Sequence, residues 1–211
     1  MTEQEQLQEI KTWIKQYGPT VLAGILIAFG ITSAWHAWQN YQTKKLVHAS
    51  GVFDEMLELR AQNNLDGATV QANKLVSDYA NTPYAQMAAF NLARTATLNK
   101  NYAEANRQLA WVMDHSKEHS IQQIARIRSA RVLLTQNKPD AALTLLAQVD
   151  DKAFIGLIDE IRGDAYLLQK DTVSAQKAYK LALTEIPNAE INRPILQMKY
   201  NNLATENTQI S

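Results

Sequence analysis

The hydrophobic and polar positions divide the chain into two regions with different patterns. Between Lys15 and Lys44 no side chain carries a formal charge, apart from His36 when it is protonated, and residues 18–38 are almost entirely apolar. As a helix, this segment would span roughly 30 Å, the thickness of the hydrocarbon core of a bilayer. After Leu46 the chain alternates apolar helical stretches with short polar breaks, without sustained strand alternation. The pattern predicts one transmembrane helix followed by an all-α domain.

Aromatic side chains stand at both edges of the apolar segment, where rings with an apolar body and a polar tip are favoured. They are Trp13, Tyr17, Trp35, Trp38 and Tyr41. Pro19 falls in the predicted first turn, a position where a helix tolerates proline. The edges therefore support a membrane-spanning helix over residues 18–38.

Two alternatives to an uncleaved anchor remain open. A buried core helix is one, although such apolar stretches are usually shorter. A cleaved signal peptide is the other, with Thr32 and Ala34 at its cleavage site, although its apolar part normally has about 7–15 residues. The flanking charges do not select an orientation, because two lysines lie on each side. These are Lys11 and Lys15 before the segment, and Lys44 and Lys45 after it.

Small residues recur at a spacing of four within the predicted membrane helix. Gly24 and Ala28 share one helix face, and Gly30 and Ala34 share another. Small residues at this spacing allow a second helix to approach closely in lipid, so we predict a helix-packing surface here. The alternative is that glycine and alanine are simply common in membrane helices.

Beyond the anchor, four polar breaks share a pattern in which a turn leads into a helix with alanine in its first turn. The breaks lie at 63–68, 100–105, 136–141 and 170–175. Their alanines are Ala68, Ala105, Ala141 and Ala175, spaced by 37, 36 and 34 residues. A period of about 34 residues with two helices per unit is characteristic of tetratricopeptide repeats.

Helix packing gives a physical reason for the repeated small residues, because two antiparallel helices approach closely only where side chains are small. Twelve residues before the aligned alanines stand Ala93, Ser129 and Gly163. The fourth unit fits the repeat best, and its residues are Gly163, Tyr166, Ala175, Tyr179, Ala182 and Pro187. The first unit is irregular, with Met56 at the small position and Ala72 where a large residue is expected, as in a terminal capping unit.

The predicted fold is therefore all-α, with a single N-terminal transmembrane helix followed by a tetratricopeptide-like α-solenoid of about four helical hairpins and a C-terminal capping helix. A non-repetitive helical bundle is the alternative. The expected segments are a short tail (1–17), the transmembrane helix (18–38), a connecting helix (39–62), the repeat domain (63–203, its last helix near 192–203) and a C-terminal tail (204–211).

Composition excludes several classes of function. The formal net charge is zero and 46% of residues are hydrophobic, which is typical of a folded protein rather than a basic nucleic-acid binder. The absence of cysteine excludes disulfides, thiolate metal sites and cysteine nucleophiles. No phosphate-binding loop, dinucleotide-binding string or serine nucleophile string occurs. We expect no catalysis, no cofactor, no metal and no small-molecule substrate.

One string matches a zinc-protease motif. His115, Glu118 and His119 spell H-x-x-E-H, in which two histidines bind zinc and the glutamate acts as a general base. The string lies in a polar stretch between two helical periods instead of inside a buried helix, and no third ligand is evident. A metal-dependent hydrolase is therefore a minor alternative.

The remaining candidate surface is the concave groove of the repeat stack, which is lined by the first helix of each hairpin. The alignment places Arg94, Arg126, Glu160 and Asp164 on this face. They predict a polar groove for a peptide or a partner helix. The alternative is that they are solvated charges on a structural scaffold.

The chain as a whole resembles the YfgM family, ancillary subunits of the bacterial Sec translocon. The resemblance rests on an acidic N-terminal tail and on the order of short strings along one anchor-plus-repeats chain. The strings are the glycine-containing anchor (Trp13, Gly18, Gly24, Gly30), its exit Trp35-His-Ala-Trp38, Asn91-Leu-Ala-Arg94, Ala130-Arg-Val132, Arg162-Gly-Asp164 and the ending Gln197-Met-Lys-Tyr-Asn-Asn-Leu203.

The resemblance implies a bacterial inner-membrane protein with a cytoplasmic N-terminus and a periplasmic repeat domain. It also implies two protein partners, the SecYEG translocon and a membrane-anchored periplasmic chaperone related to prolyl isomerases, besides membrane lipid. The implied role is to help secreted proteins pass from the translocon to periplasmic chaperones. A membrane-tethered scaffold of another envelope complex is the alternative.

Overall fold

The computed structural model describes residues 3–186 and 193–209, with side chains for 11–186 and 193–203. Within these residues the chain forms nine α-helices and one short 3-10 helix, which confirms the all-α prediction. The helices are α1 (Glu3–Ala61), α2 (Leu65–Asp78), α3 (Pro83–Leu98), α4 (Tyr102–His115), α5 (His119–Thr135), α6 (Pro139–Leu146), the 3-10 helix (Lys152–Phe154), α7 (Ile155–Leu168), α8 (Thr172–Glu185) and α9 (Arg193–Gln209). The predicted Pro187 lies outside the described residues.

The chain divides into two compact units, Met1–His48 and Ala49–Ser211. The first unit consists of the N-terminal part of α1, and nearly all its described side chains are exposed. The helix begins at Glu3, so the prediction that Pro19 lies in its first turn is wrong. The residues before Gly18 are mostly good helix formers, which extend the helix toward the N-terminus. Pro19 is therefore an interior proline, without an N–H for the Lys15 carbonyl.

In the second unit, the four predicted breaks fold into the same turn. The residue two positions after the end of each first helix has a positive φ near 60°, at Asn63, Lys100, Asn137 and Lys170. The next N–H then donates to a carbonyl five residues earlier, as from Asn64 to Leu59 (2.8 Å) and from Asp171 to Tyr166 (3.0 Å). This left-handed cap satisfies a carbonyl at the helix end and reverses the chain. Four equivalent hairpins result, which confirms the solenoid of about four units.

The residue after each left-handed position is the N-cap of the second helix of its hairpin. The side chains of Asn64, Asn101 and Asp171 accept hydrogen bonds from N–H groups three residues later, at 2.9–3.2 Å. In the third hairpin, Lys138 has no such side-chain bond and Pro139 follows as the first helical residue. Proline suits this position because its N–H would have no partner in the helix.

The turns correct the sequence alignment of the third unit by one residue. Counting five residues from each positive-φ residue reaches Ala68, Ala105, Ala142 and Ala175, all buried, whereas Ala141 is exposed. Counting seven residues back from Asn137 reaches Ala130, whereas the sequence alignment placed Ser129 at this position. The sequence pattern could not distinguish Ala141 from Ala142, or Ser129 from Ala130, because all four side chains are small.

Side-chain volumes are complementary across each hairpin. The position seven residues before the turn and the position nine residues after it hold a small and a large residue in the last three units. These pairs are Ala93 and Leu109, Ala130 and Leu146, and Gly163 and Tyr179. In the first unit the order is reversed, since Met56 is the large residue and Ala72 the small one, and both belong to the same buried cluster. The first unit therefore also combines one large and one small side chain, but the large one lies on the first helix and the small one on the second.

The core of the second unit is a series of small clusters along the stack. One cluster joins the end of α1 to α2 and α3, the next joins α3, α4 and α5, another α5, α6 and α7, and the last α8 and α9. From α2 onward, each helix packs mainly against its neighbours in sequence, with an additional contact between α5 and α7. This arrangement places successive first helices, α3, α5 and α7, side by side, and α9 covers α8.

Candidate partner-binding surfaces

Of the described helices, α1 is the one long and apolar enough to cross a membrane. Its large apolar side chains are exposed, including Phe29 at 71%. A methyl group added at Gly24 or Gly30 would meet no atom within 4 Å, so both glycines leave an open notch in the helix surface. Ala28 and Ala34 are also exposed, so the four predicted packing residues are accessible to another helix.

One cavity of the repeat domain lies between α3 and α5. Its volume is about 350 Å³, and Phe90, Leu98 and Val132 give it an apolar lining. Leu98 is 71% exposed although it belongs to this lining. A concave and mostly apolar lining is typical of a surface that binds another molecule.

Three arginines line the same cavity. They are Arg94 on α3, and Arg128 and Arg131 on α5. The guanidinium of Arg128 stacks 4.4 Å above the ring of Phe90. Partial burial lowers the pKa of Arg128, and the positive charge of Arg131 lowers that pKa further. Among the described residues, neither Arg94 nor Arg128 has a carboxylate within ion-pair distance.

A second cavity, of about 450 Å³, continues the groove between α5 and α7. Arg131 and Thr135 line both cavities, so the two form one groove along the first helices of the second to fourth hairpins. The exposed Leu167 and Leu168 extend its apolar lining. Glu160 and Asp164 also line this part, and Glu160 lies 3.8 Å from Arg131.

The acidic pair is held by a lysine from the last helix. Nζ of Lys199 lies 3.2 Å from Glu160 and 2.7 Å from Asp164. The hydroxyl of Tyr179 donates to Asp164 at 2.7 Å. Burial raises the pKa of Tyr179, and the hydrogen bond to Asp164 raises that pKa further. Both carboxylates at the acidic end of the groove are therefore already paired with cations of the protein, Lys199 with both of them and Arg131 with Glu160.

The structure brings together three of the four predicted groove residues, Arg94, Glu160 and Asp164. Arg126 does not line either cavity and lies near Asp150, where its charge helps to lower the pKa of that carboxyl after the hydrogen bond from His119. The one-residue offset in the third unit explains this difference, because the position equivalent to Glu160 is the buried Ile127. Arg131 occupies the position of Arg94 and Asp164, six residues before each turn, so an alignment on the turns would have found it.

The H-x-x-E-H string does not form a metal cluster within the described residues. His115 ends α4 and stacks on Trp111, while His119 begins α5 and bonds Asp150 at 2.6 Å. The two histidines therefore belong to different helices, not to successive turns of one helix as zinc ligation by this motif requires. The geometry supports the interpretation of the string as an interhelical turn.

Comparison with known proteins gives matches that cover both units. A tetratricopeptide repeat-like domain model matches residues 11–205. A protein of Neisseria gonorrhoeae named ancillary SecYEG translocon subunit is 31% identical over 205 residues, which are 96% of this chain and 98% of the relative. Proteins of the same name from Aggregatibacter actinomycetemcomitans and Escherichia coli are 26% and 22% identical, over 95% and 96% of this chain and 97% of each relative. No solved structure matches the chain significantly.

Proposed function

The chain belongs to the tetratricopeptide repeat-like family of ancillary SecYEG translocon subunits, and from this membership we propose that it is an accessory subunit of the SecYEG translocon, anchored in the bacterial inner membrane by α1. The observation that carries the proposal is the similarity over 96% of the chain, which includes the apolar helix as well as the repeats. In this proposal the protein binds other proteins and has no catalytic activity of its own.

The proposed membrane arrangement is a single pass with residues 18–38 in lipid, the N-terminus in the cytoplasm and the repeat domain in the periplasm. The length and exposure of the apolar side chains support contact with lipid, because so large an apolar surface is unfavourable in water. A reporter enzyme that is active only in the periplasm, fused after Ser211, tests the orientation. Activity of the fusion is expected, and an inactive but intact fusion would contradict this arrangement.

Each surface has a proposed role. The two small-residue faces of α1, one with Gly24 and Ala28 and the other with Gly30 and Ala34, pack against membrane helices of the translocon. The groove with Arg94, Glu160 and Asp164 binds a protein partner on the periplasmic side, such as a membrane-anchored chaperone related to prolyl isomerases. Through both contacts the protein would link translocation to periplasmic chaperones.

Site-specific photo-crosslinking in native membranes tests the translocon assignment. Photo-reactive residues at positions 24 and 30 should recover SecYEG subunits, whereas recovery of a different envelope complex would replace this proposal by the scaffold alternative. In a second arm, the double substitution Gly24→Leu and Gly30→Leu should weaken co-purification, because leucine fills the notches. For Gly24→Leu alone, Ser33→Leu is the matched control, because it lies on the opposite side of the helix from Gly24, whereas it shares a face with Gly30.

A further inference from the structure

The groove carries a charge asymmetry that specifies its partner more closely than membership of the family does. Arg94, Arg128 and Arg131 surround the cavity between α3 and α5, and two of them have no acidic partner among the described residues. Glu160 and Asp164 in the adjoining cavity are already paired with Lys199. The unsatisfied charge of the groove is therefore positive and is concentrated at one end.

This concentration of charge has an energetic cost in the unoccupied protein. Arg128 is held against Phe90 and near Arg131, and both its partial burial and the neighbouring positive charge lower its pKa. A carboxylate at this point would offset the repulsion and accept paired hydrogen bonds from a guanidinium, the geometry in which arginine binds anions most strongly. The end of the groove that contains the three arginines is thus complementary to an acidic side chain.

The lining of the same cavity is complementary to an apolar group next to the acidic one. Phe90, Leu98 and Val132 line it between α3 and α5, and Leu98 is largely exposed. A space of about 350 Å³ accommodates an apolar side chain, and the groove continues past Arg131 along α7. A ligand that matches both features is a chain with acidic and apolar groups alternating along its length.

Building on the proposed function, we propose that the groove between α3, α5 and α7 binds a peptide segment in which an acidic residue is flanked by large apolar residues. The acid pairs with Arg94, Arg128 and Arg131, and an apolar neighbour packs on Phe90 and Leu98. A peptide fits better than a lipid headgroup, because the apolar lining continues from one cavity into the next, with Arg131 and Thr135 common to both.

Peptide binding to the full chain in nanodiscs of uncharged lipid tests this proposal. The probe is a short fluorescein-labelled peptide with alternating Glu and Leu, and the matched peptides carry Gln or Lys for Glu, or Ser for Leu. Fluorescence anisotropy should give affinity about tenfold higher for the Glu peptide than for the Gln and Ser peptides, because charge-assisted bonds and apolar burial are both lost in the latter. Equal affinity for the Glu and Gln peptides would overturn the proposal.

Charge reversal separates recognition from a structural effect. The double variant Arg94→Glu and Arg131→Glu should prefer the Lys peptide to the Glu peptide, while Arg126→Glu, on the same helix but outside the groove, should keep the wild-type preference. Retention of the acidic preference in the double variant would refute the proposal, provided that circular dichroism shows an unchanged helix content. Competition by phosphatidylglycerol vesicles, with no competition by unlabelled Glu peptide, would assign the arginines to lipid and also refute it.

Crosslinking from position 24 of the wild-type protein distinguishes this inference from the function on which it rests. If the wild-type protein keeps its translocon crosslinks but shows no preference for the Glu peptide, only the groove inference fails. If wild-type membranes yield no translocon crosslinks, the proposed function fails even when the peptide binds.

Discussion

Gly163 on α7 lies directly against the ring of Tyr179 on α8. A Cβ atom built on Gly163 would lie 2.3 Å from Cε1 of this fully buried ring. The absence of a side chain at residue 163 is therefore what allows the largest core side chain of the last hairpin to pack between the two helices.

Gly163→Ala should destabilise the repeat domain by about 1–3 kcal/mol, the usual cost of overpacking a core. The matched control is Gly51→Ala in α1, where an added Cβ would meet nothing within 4 Å. This exposed helical site should gain about 0.5–1 kcal/mol from the better helix propensity of alanine. Urea unfolding in detergent, followed by circular dichroism, compares the two, and an equal gain in both variants would contradict the close packing.

Met56 and Ala72 form the reversed pair of the first hairpin, and their volumes should be exchangeable. Met56→Ala removes a fully buried side chain and should cost about 2–5 kcal/mol. Ala72→Leu alone should also destabilise, because it overpacks the site. The double variant copies the Ala93 and Leu109 arrangement, so a favourable coupling of about 1 kcal/mol or more is expected in a double-mutant cycle. Strictly additive effects would show that the two positions do not share volume.

The buried Tyr179 should make the protein sensitive to alkaline pH. Because its pKa is raised in the folded state, the folded form keeps its proton when the unfolded form begins to ionise near pH 10, about the ordinary pKa of tyrosine. The stability that Tyr179 provides is fully present below this pH and decreases as the pH rises above it. The unfolding free energy of the wild type should therefore approach that of Tyr179→Phe as the pH rises from about 10 to 11 and above. A constant difference between the two proteins over this range would exclude ionisation of Tyr179 as the cause.

The left-handed turn residues offer a comparison between side chains in one backbone conformation. Lys100 has a φ of 59° and Asn63 a φ of 60°. Lysine is strained here by about 1–2 kcal/mol, whereas asparagine tolerates the region better. Lys100→Gly should therefore raise the unfolding free energy by about 1 kcal/mol and Asn63→Gly by less. The denaturant midpoint with an unchanged m-value measures both, and an equal or larger gain at Asn63 would argue against this explanation.

Local chemistry explains which parts of the fold could be predicted from the sequence. Polar turns followed by alanine recur because each hairpin needs the same chain reversal and the same close approach, so helices and period were predictable. In the third unit, Ala141 and Ala142 satisfied the pattern equally well, and only the positive φ of Asn137 fixes the register. Because of this one-residue offset, the sequence alignment assigned Arg126 to the repeat position that Ile127 occupies in the structure. For the same reason it did not identify Arg131 as a groove residue.

The ion pairs of Lys199 could not be predicted, because they join residues 35 and 39 positions apart without a sequence pattern. Its partners Glu160 and Asp164 were predicted as groove residues from the repeat, but their pairing depends on how α9 docks. The start of α1 was also missed, since the residues before Gly18 lack apolar periodicity yet have good helix propensity. Long-range pairing and helix extension thus lie outside what the repeat pattern encodes.

The division of the core into successive clusters implies that the repeat domain opens in steps. Because α9 is tied to the stack through its own cluster and Lys199, it can detach without exposing the clusters that contain Leu75, Leu109 or Leu146. Amide hydrogen exchange should therefore be fastest in α9 and slower in the interior helices, as in other linear arrays of repeats. Detachment would also release Glu160 and Asp164, so fraying at the C-terminal end would change the electrostatic character of the whole concave face.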